Sequence, residues 1–188
     1  MTDKPVLIIQ CGASKLSHAA KVRDLYLGPF WSTYRARRRE QDGLIGEHSE
    51  LSVYVLSAKH GLVHELDEVE PYDMMVVPAG SAHYTRRSTG STRAGTATVP
   101  ADWLAKTVKK QAKKLGLADR QVWFVGGAAY AEALRLAGVD FESLSDGGLL
   151  SKRSALSRFL IEHESSGEDD SVSLLSKLLA KAESSGSG

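Results

Sequence analysis

The chain carries one cysteine, Cys11, in 188 residues. A disulfide within the molecule is excluded, and so is a structural zinc site built on a cysteine cluster. Its six histidines are scattered, and no pair at HxxxH spacing encloses a carboxylate, so a metal centre has little support. Long hydrophobic runs are missing too. No uninterrupted apolar stretch approaches the ~20 residues that span a bilayer, and the first residues lack the basic-then-apolar layout of a secretion signal. The expectation is a cytoplasmic protein without membrane contact. Neither a GxGxxG fingerprint, nor a GxxxxGK[ST] phosphate loop, nor a GxSxG elbow occurs. Dinucleotide binding through that fingerprint, P-loop ATP hydrolysis and serine-hydrolase chemistry are therefore set aside, and no cofactor and no metal is expected.

What is present fits one soluble domain: 42% of residues are hydrophobic and 25% charged. Residues 6–10 form an apolar run, followed by helical spacing of Val22, Leu25, Tyr26, Phe30 and Tyr34 that breaks at Gly28-Pro29. A second strand is expected over 51–56 and a third over 121–125. Between them, Asp102 is placed to cap a helix that Gly116 ends. A helix over 128–137, a short strand near 139–144 and a helix entered through Gly147-Gly148 complete the series. This alternation predicts a three-layer α/β fold, with a mainly parallel or mixed sheet and helices on both faces. The domain is assigned to 1–164, with a mobile basic loop over 79–98. An acidic linker and short amphipathic helix follow over 165–183, offering a packing arm or a homodimer contact, and 184–188 read as a disordered tail.

The net charge of +1 conceals segregation. Lys21, Arg23, Arg35, Arg37, Arg38 and Arg39 cluster in the first helical region, and Lys106, Lys109, Lys110, Lys113 and Lys114 in a later one, whereas acidic residues gather after Glu162. Basic faces attract polyanions because neutralised phosphates release their counterions; the plainer reading is a solvated helix face. The loop over 79–98 adds Arg86, Arg87 and Arg93, with Tyr84 placed to stack on a base, although a surface insertion has the same composition. Lys152 and Arg153, in the first turn of the last helix, oppose its dipole unless an anion is present.

Candidate site residues collect where strands end. The first strand breaks into Cys11-Gly12-Ala13-Ser14-Lys15, and the second into Ser57-Ala58-Lys59-His60-Gly61. In an open α/β sheet, ligands bind at that edge. Gly126-Gly127, between a strand and a helix, allows close backbone approach by an anion, though the signal is unspecific. Cys11 reads as a nucleophile or, more simply, as a small packing residue. Asp73, in Pro71-Tyr72-Asp73, is either a turn residue or a carboxylate able to stabilise an oxocarbenium-like state or activate water. Lys15 and Lys59 could hold phosphate or supply an amine nucleophile, and Tyr26 or Tyr72 could sandwich a base.

The ordered set Cys11 to Lys15, Asp24-Leu25-Tyr26 with Phe30, Leu56 to Leu62, and Glu70-Pro71-Tyr72-Asp73 resembles an uncharacterised bacterial and phage domain family. That family is distantly similar to the peroxide-stress DNA-binding protein YaaA. The likeness covers roughly 6–73, with weaker agreement at 125–127 and 147–160; here the first turn reads Cys-Gly-Ala-Ser-Lys instead of Ser-Pro-Ala-Lys. It implies a mixed α/β fold, DNA as partner, and kinship with glycosylases that remove modified or damaged bases, including those of phage DNA. The leading expectation is a DNA N-glycosylase with Asp73, Lys15 and Lys59 as catalytic residues. Cys11, Gly12, Ser14, Tyr26, Ser57, His60, Tyr72, Gly126 and Gly127 are then expected to hold substrate. The alternatives are a non-catalytic DNA-binding stress protein and a nucleoside or nucleotide ribosyl-transfer enzyme.

Overall fold

Strand β1 (Val6–Gln10) is the centre of the fold because it is apolar on both faces: Val6, Leu7, Ile8 and Ile9 are all fully buried. A continuous apolar run is what a parallel strand covered from both sides requires. The computed structural model describes residues 4–40, 51–81 and 96–164. Along the chain follow β2 (Ala20–Lys21), α1 (Val22–Leu25), α2 (Pro29–Glu40), β3 (Ser52–Ser57), β4 (Gly61–His64), β5 (Glu68–Val69), β6 (Met74–Val77) and β7 (Ala97–Pro100). Then come α3 (Ala101–Leu115), β8 (Val122–Val125), α4 (Ala128–Leu136), β9 (Glu142–Ser143) and α5 (Leu149–Glu164).

The main sheet has the order β4-β3-β1-β8-β9. Strands β3 and β8 run parallel to β1, β9 runs parallel to β8, and β4 folds back antiparallel on β3. The sheet is thus mixed, and the helices complete a three-layer α/β arrangement. Helices α2 and α5 pack together, as do α3 and α4. Trp123 of β8 meets Phe159 and His163 of α5 edge to face, with ring centroids 4.8 Å away in each case. Arg38 and Tyr34 of α2 grip the turn after β4: Tyr34 donates its hydroxyl to Glu65, and Arg38 Nε donates to the Tyr34 oxygen at 3.0 Å. Burial first, and the Glu65 carboxylate next, push the Tyr34 phenol well above its ordinary value.

Three local expectations change. The stretch after β3 is a hairpin, because Gly61 turns the chain at a φ of +74°, and a Cβ there would lie 2.1 Å from the Gln111 side chain. Asp102 lies inside the first turn of α3, where it accepts the Gly80 N–H, and Pro100 takes the capping position. Gly116 does end α3, in the left-handed conformation with φ 62°. The expected loop over 79–98 also ends earlier, since Ala97–Pro100 pair in parallel with β6 while Thr96, Thr98 and Pro100 alternate as buried residues. Residues 82–95, with Tyr84, Arg86, Arg87 and Arg93, lie outside the described residues, as do 165–188 with the amphipathic stretch and tail. Among the described residues, no helix is long and apolar enough to cross a membrane.

Candidate active site

The carboxyl ends of β1, β3 and β8 lie side by side, and each opens into a small-residue turn. Past β1 the chain is clipped to the segment after α1. Leu16 N–H donates to Leu25 O at 2.9 Å, Leu27 N–H to Ser14 O at 2.9 Å, and Lys15 bridges to Tyr26. Gly12 and Gly28 pack closely at this crossing, and a Cβ at Gly12 would sit in ordinary contact, 3.4 Å from the Gly28 backbone. A second clip, the β2–β5 ladder, brings the 65–72 segment across the same region, where Arg23 N–H donates to Glu65 O at 3.0 Å. Tyr72 is thereby carried onto Tyr26.

The result is a chain of hydroxyls. Tyr26 and Tyr72 share a hydrogen bond of 3.0 Å, and Tyr72 shares another of 2.7 Å with Ser57. Ser57 is fully buried, and its oxygen also accepts the N–H groups of Lys59 and His60, at 3.2 and 3.0 Å. Nearby, Cys11 Sγ and the Tyr130 hydroxyl lie 3.1 Å apart, and Tyr130 is bonded to the Val76 main chain as well. Burial is the largest reason that the phenols of Tyr26, Tyr72 and Tyr130 are all pushed above the ordinary tyrosine range. They remain protonated at neutral pH and act as neutral hydrogen-bonding groups.

Lys15 lies over this chain. Its Nζ is 4.4 Å from the Tyr72 ring centroid and 5.6 Å from that of Tyr26, with no ion pair at hydrogen-bonding range among the described residues. Burial holds the ammonium below its usual value, while Cys11 and the Asp73 carboxylate pull the other way. Asp73 is exposed to solvent. Its main-chain carbonyl accepts Ala97 N–H at 3.1 Å, and its Oδ1 accepts the Thr96 hydroxyl at 3.0 Å. The His60 ring stands edge-on to Tyr72, centroids 5.5 Å apart, and its buried Nε2 has no hydrogen-bond partner. Burial, then the Lys59 charge, lowers its pKa, so the imidazole is neutral at pH 7.

Cys11, Lys15, Tyr26, Ser57, His60 and Tyr72 therefore converge, with Asp73 within electrostatic reach of Lys15. Lys59 is exposed at the rim, its Nζ 5.9 Å from the Tyr72 ring. Tyr26 is fully buried, so it enters through its hydroxyl and as a floor for Lys15, with no face open to a base. Ser14 contributes its carbonyl to the clip. Gly126 and Gly127 border the cluster through Gln10, whose side chain accepts Gly127 N–H. A Cβ at Gly126 would meet the Phe124 ring at 2.3 Å, which accounts for that glycine by packing.

Four of the cations expected on a nucleic-acid surface, Arg35, Arg38, Lys152 and Arg153, have partners inside the protein. Arg35 donates to the carbonyls of Arg23 and Tyr26 at 2.7 Å each, Lys152 donates to the Gly126 carbonyl, and Arg153 donates to Thr33 at 3.2 Å. Lys152, expected to contact a phosphate, thus has a main-chain acceptor within the protein. Three residues of the neighbourhood went unread in the sequence: Gln10, Thr96 and Tyr130. Tyr130 had a signal, as the single aromatic among alanines in the first turn after Gly126-Gly127, and Gln10 had one as the polar end of an apolar run. Thr96 had none. Among the described residues, no three His, Cys, Asp or Glu side chains converge as metal ligands.

The arrangement offers a partly desolvated amine, a solvent-facing carboxylate within its electrostatic reach, and a neutral hydroxyl chain beneath. Such a set can attack an electrophilic carbon, protonate a leaving group and stabilise developing positive charge. No curated protein and no solved structure matches the chain. The model of the Family of unknown function (DUF6884) matches residues 6–143. That span runs from the first residue of β1 to the last of β9 and encloses the whole cluster. The chain is a member of this family, DUF6884.

Proposed function

We propose that this site cleaves the N-glycosidic bond of a modified or damaged base in DNA, acting in the cytoplasm, with phage DNA among its substrates. The observation that carries the reading is Lys15: an amine without a salt-bridge partner, in the field of Asp73, at the edge of the sheet where α/β proteins take ligands. In the reaction, positive charge develops on the sugar as the base departs. Asp73 faces solvent beside that charge, placed to stabilise it or to activate water, while Lys59 at the rim holds a flanking phosphate. The likeness of the 11–15, 56–62 and 70–73 runs to the YaaA-like family supports DNA as the partner.

A second reading, ribosyl transfer on a free nucleoside or nucleotide, is favoured by one observation. Arg35, Arg38, Lys152 and Arg153 all have partners within the fold, so the described surface offers less cation to a duplex than its sequence suggested. Both readings are tested by incubating the protein with duplexes carrying a panel of modified bases, and separately with free nucleosides and nucleotides, and measuring released base by mass spectrometry. Release from DNA, lost on Asp73→Asn, is the expected result. Release only from free nucleotides selects the second reading, and release from neither overturns both.

A further inference from the structure

Lys15 is held in an unusual way for a lysine on a small domain. Its Nζ sits above two aromatic rings, its main chain is fixed by the bridge to Tyr26, and no described carboxylate or carbonyl takes its hydrogens. A lysine that serves only to bind phosphate acts as a flexible, hydrated point charge. Lys15 is instead partly dehydrated over two rings and rooted in a clipped stretch of backbone, and burial favours its neutral form. The neighbouring hydroxyls of Tyr72 and Ser57 form a continuous path to the Tyr26 hydroxyl, able to pass a proton without carrying net charge.

We infer that Lys15 is an imine-forming nucleophile, and that the site takes the aldehyde form of a deoxyribose or ribose phosphate as substrate or intermediate. This deepens the N-glycosidase reading and rests on it for the role of DNA, although the lysine chemistry is tested separately. The unprotonated amine adds to C1′ of the ring-opened sugar, forming a C–N bond as the C=O π bond opens, and the oxygen takes the proton that the nitrogen gives up. The hydroxyl of the carbinolamine then accepts a proton from solvent and leaves as water, and the nitrogen lone pair closes the C=N bond of a protonated imine between Lys15 and the sugar. Asp73 stands beside that cation and supplies its counter-charge. Hydrolysis returns the water and restores both amine and aldehyde, so no oxidant or reductant is required.

The test is reductive trapping. The full-length protein is incubated with borohydride and either a duplex containing one abasic site or pentose 5-phosphate, and the adduct is located by peptide mass spectrometry. The inference predicts a covalent adduct on Lys15 that disappears in Lys15→Arg, a variant that keeps the charge, and persists in Lys106→Ala on the outer face of α3. An adduct on another lysine, or none with either probe, overturns it. Trapping with the abasic duplex supports DNA as the source of the sugar, whereas trapping with pentose phosphate alone keeps the lysine role and assigns a free sugar. Base release from modified DNA without any adduct overturns this inference while leaving the glycosylase reading intact. Trapping on Lys15 without base release from any duplex does the reverse.

Discussion

The two ends of the parallel strands treat their cations in opposite ways. At the amino end, Arg120 is held at two points of the chain: Nε donates to the Lys4 carbonyl at 2.8 Å and one terminal nitrogen donates to Ser52 at 2.7 Å. The main chain closes the same edge, with Val6 N–H on Gln121 O at 2.8 Å and Ser52 N–H on Pro5 O at 2.9 Å. At the carboxyl end, Lys15 lies over aromatic rings without such partners, and His60 keeps a buried nitrogen unbonded. One edge satisfies its polar groups and the other leaves them short. Groups held at a cost in folding energy are where chemistry is expected in a protein that is otherwise internally consistent.

Substitutions separate the two edges, and the largest effect belongs to the carboxyl end. Asp73→Asn and Lys15→Ala are expected to lower turnover by roughly 100-fold or more, the range for losing a positioned acid, base or nucleophile, with little change in thermal midpoint. Base release, measured beside a melting curve, checks this; full activity in Asp73→Asn sinks its assigned role. Arg120→Met should do the opposite, costing about 2 kcal/mol of stability, because hydrogen bonds from a charged group are lost, while turnover per folded molecule stays unchanged. Denaturant titration reads this directly.

Smaller effects refine the contrast. Tyr72→Phe removes the hydroxyl shared by Tyr26 and Ser57 but keeps the ring under Lys15, so it should cost about 1 kcal/mol and reduce activity less than Lys15→Ala does. Lys15→Met should raise stability at neutral pH, since a partly dehydrated ammonium is replaced by an apolar chain of similar length. A decrease in its denaturation midpoint would show that the rings bind the ammonium more strongly than burial penalises it.

The smallest effect is a pH dependence. His60 has a folded pKa below its ordinary 6.5, so on acidification the unfolded chain takes up the proton first. Its contribution is complete above about 6.5 and is lost as pH falls from there through the folded value. Stability measured across that window should therefore decline toward acid in the wild type, and the slope should lessen in His60→Gln.

Much of the scaffold was readable because it depends on local pattern. The apolar runs at 6–10 and 121–125, the break at Gly28-Pro29 and the stop at Gly116 all carry their cause within a few residues. The hairpin at Gly61 was harder, since its signal lies in contact with Gln111, fifty positions away in the chain. The site was legible as a list of strand-end residues. Its geometry was not: the list contains nothing to show that Tyr26 lies sealed under Lys15, or that Thr96 holds Asp73. Arg35 and Lys152 read as binding cations for the same reason, because their carbonyl partners come from distant turns.

The sequence by itself determined an α/β domain with polar and basic turns at the ends of its strands, because strand and helix periodicity and turn chemistry act over short range. The tertiary structure alone decided which of those polar groups have partners. Two backbone clips, 14–16 against 25–27 and 20–21 against 68–69, press Tyr26, Tyr72 and Lys15 together, and burial then shifts their proton affinities. Proton affinity follows desolvation and neighbouring charge, and both are properties of the packed edge rather than of any one residue in the chain.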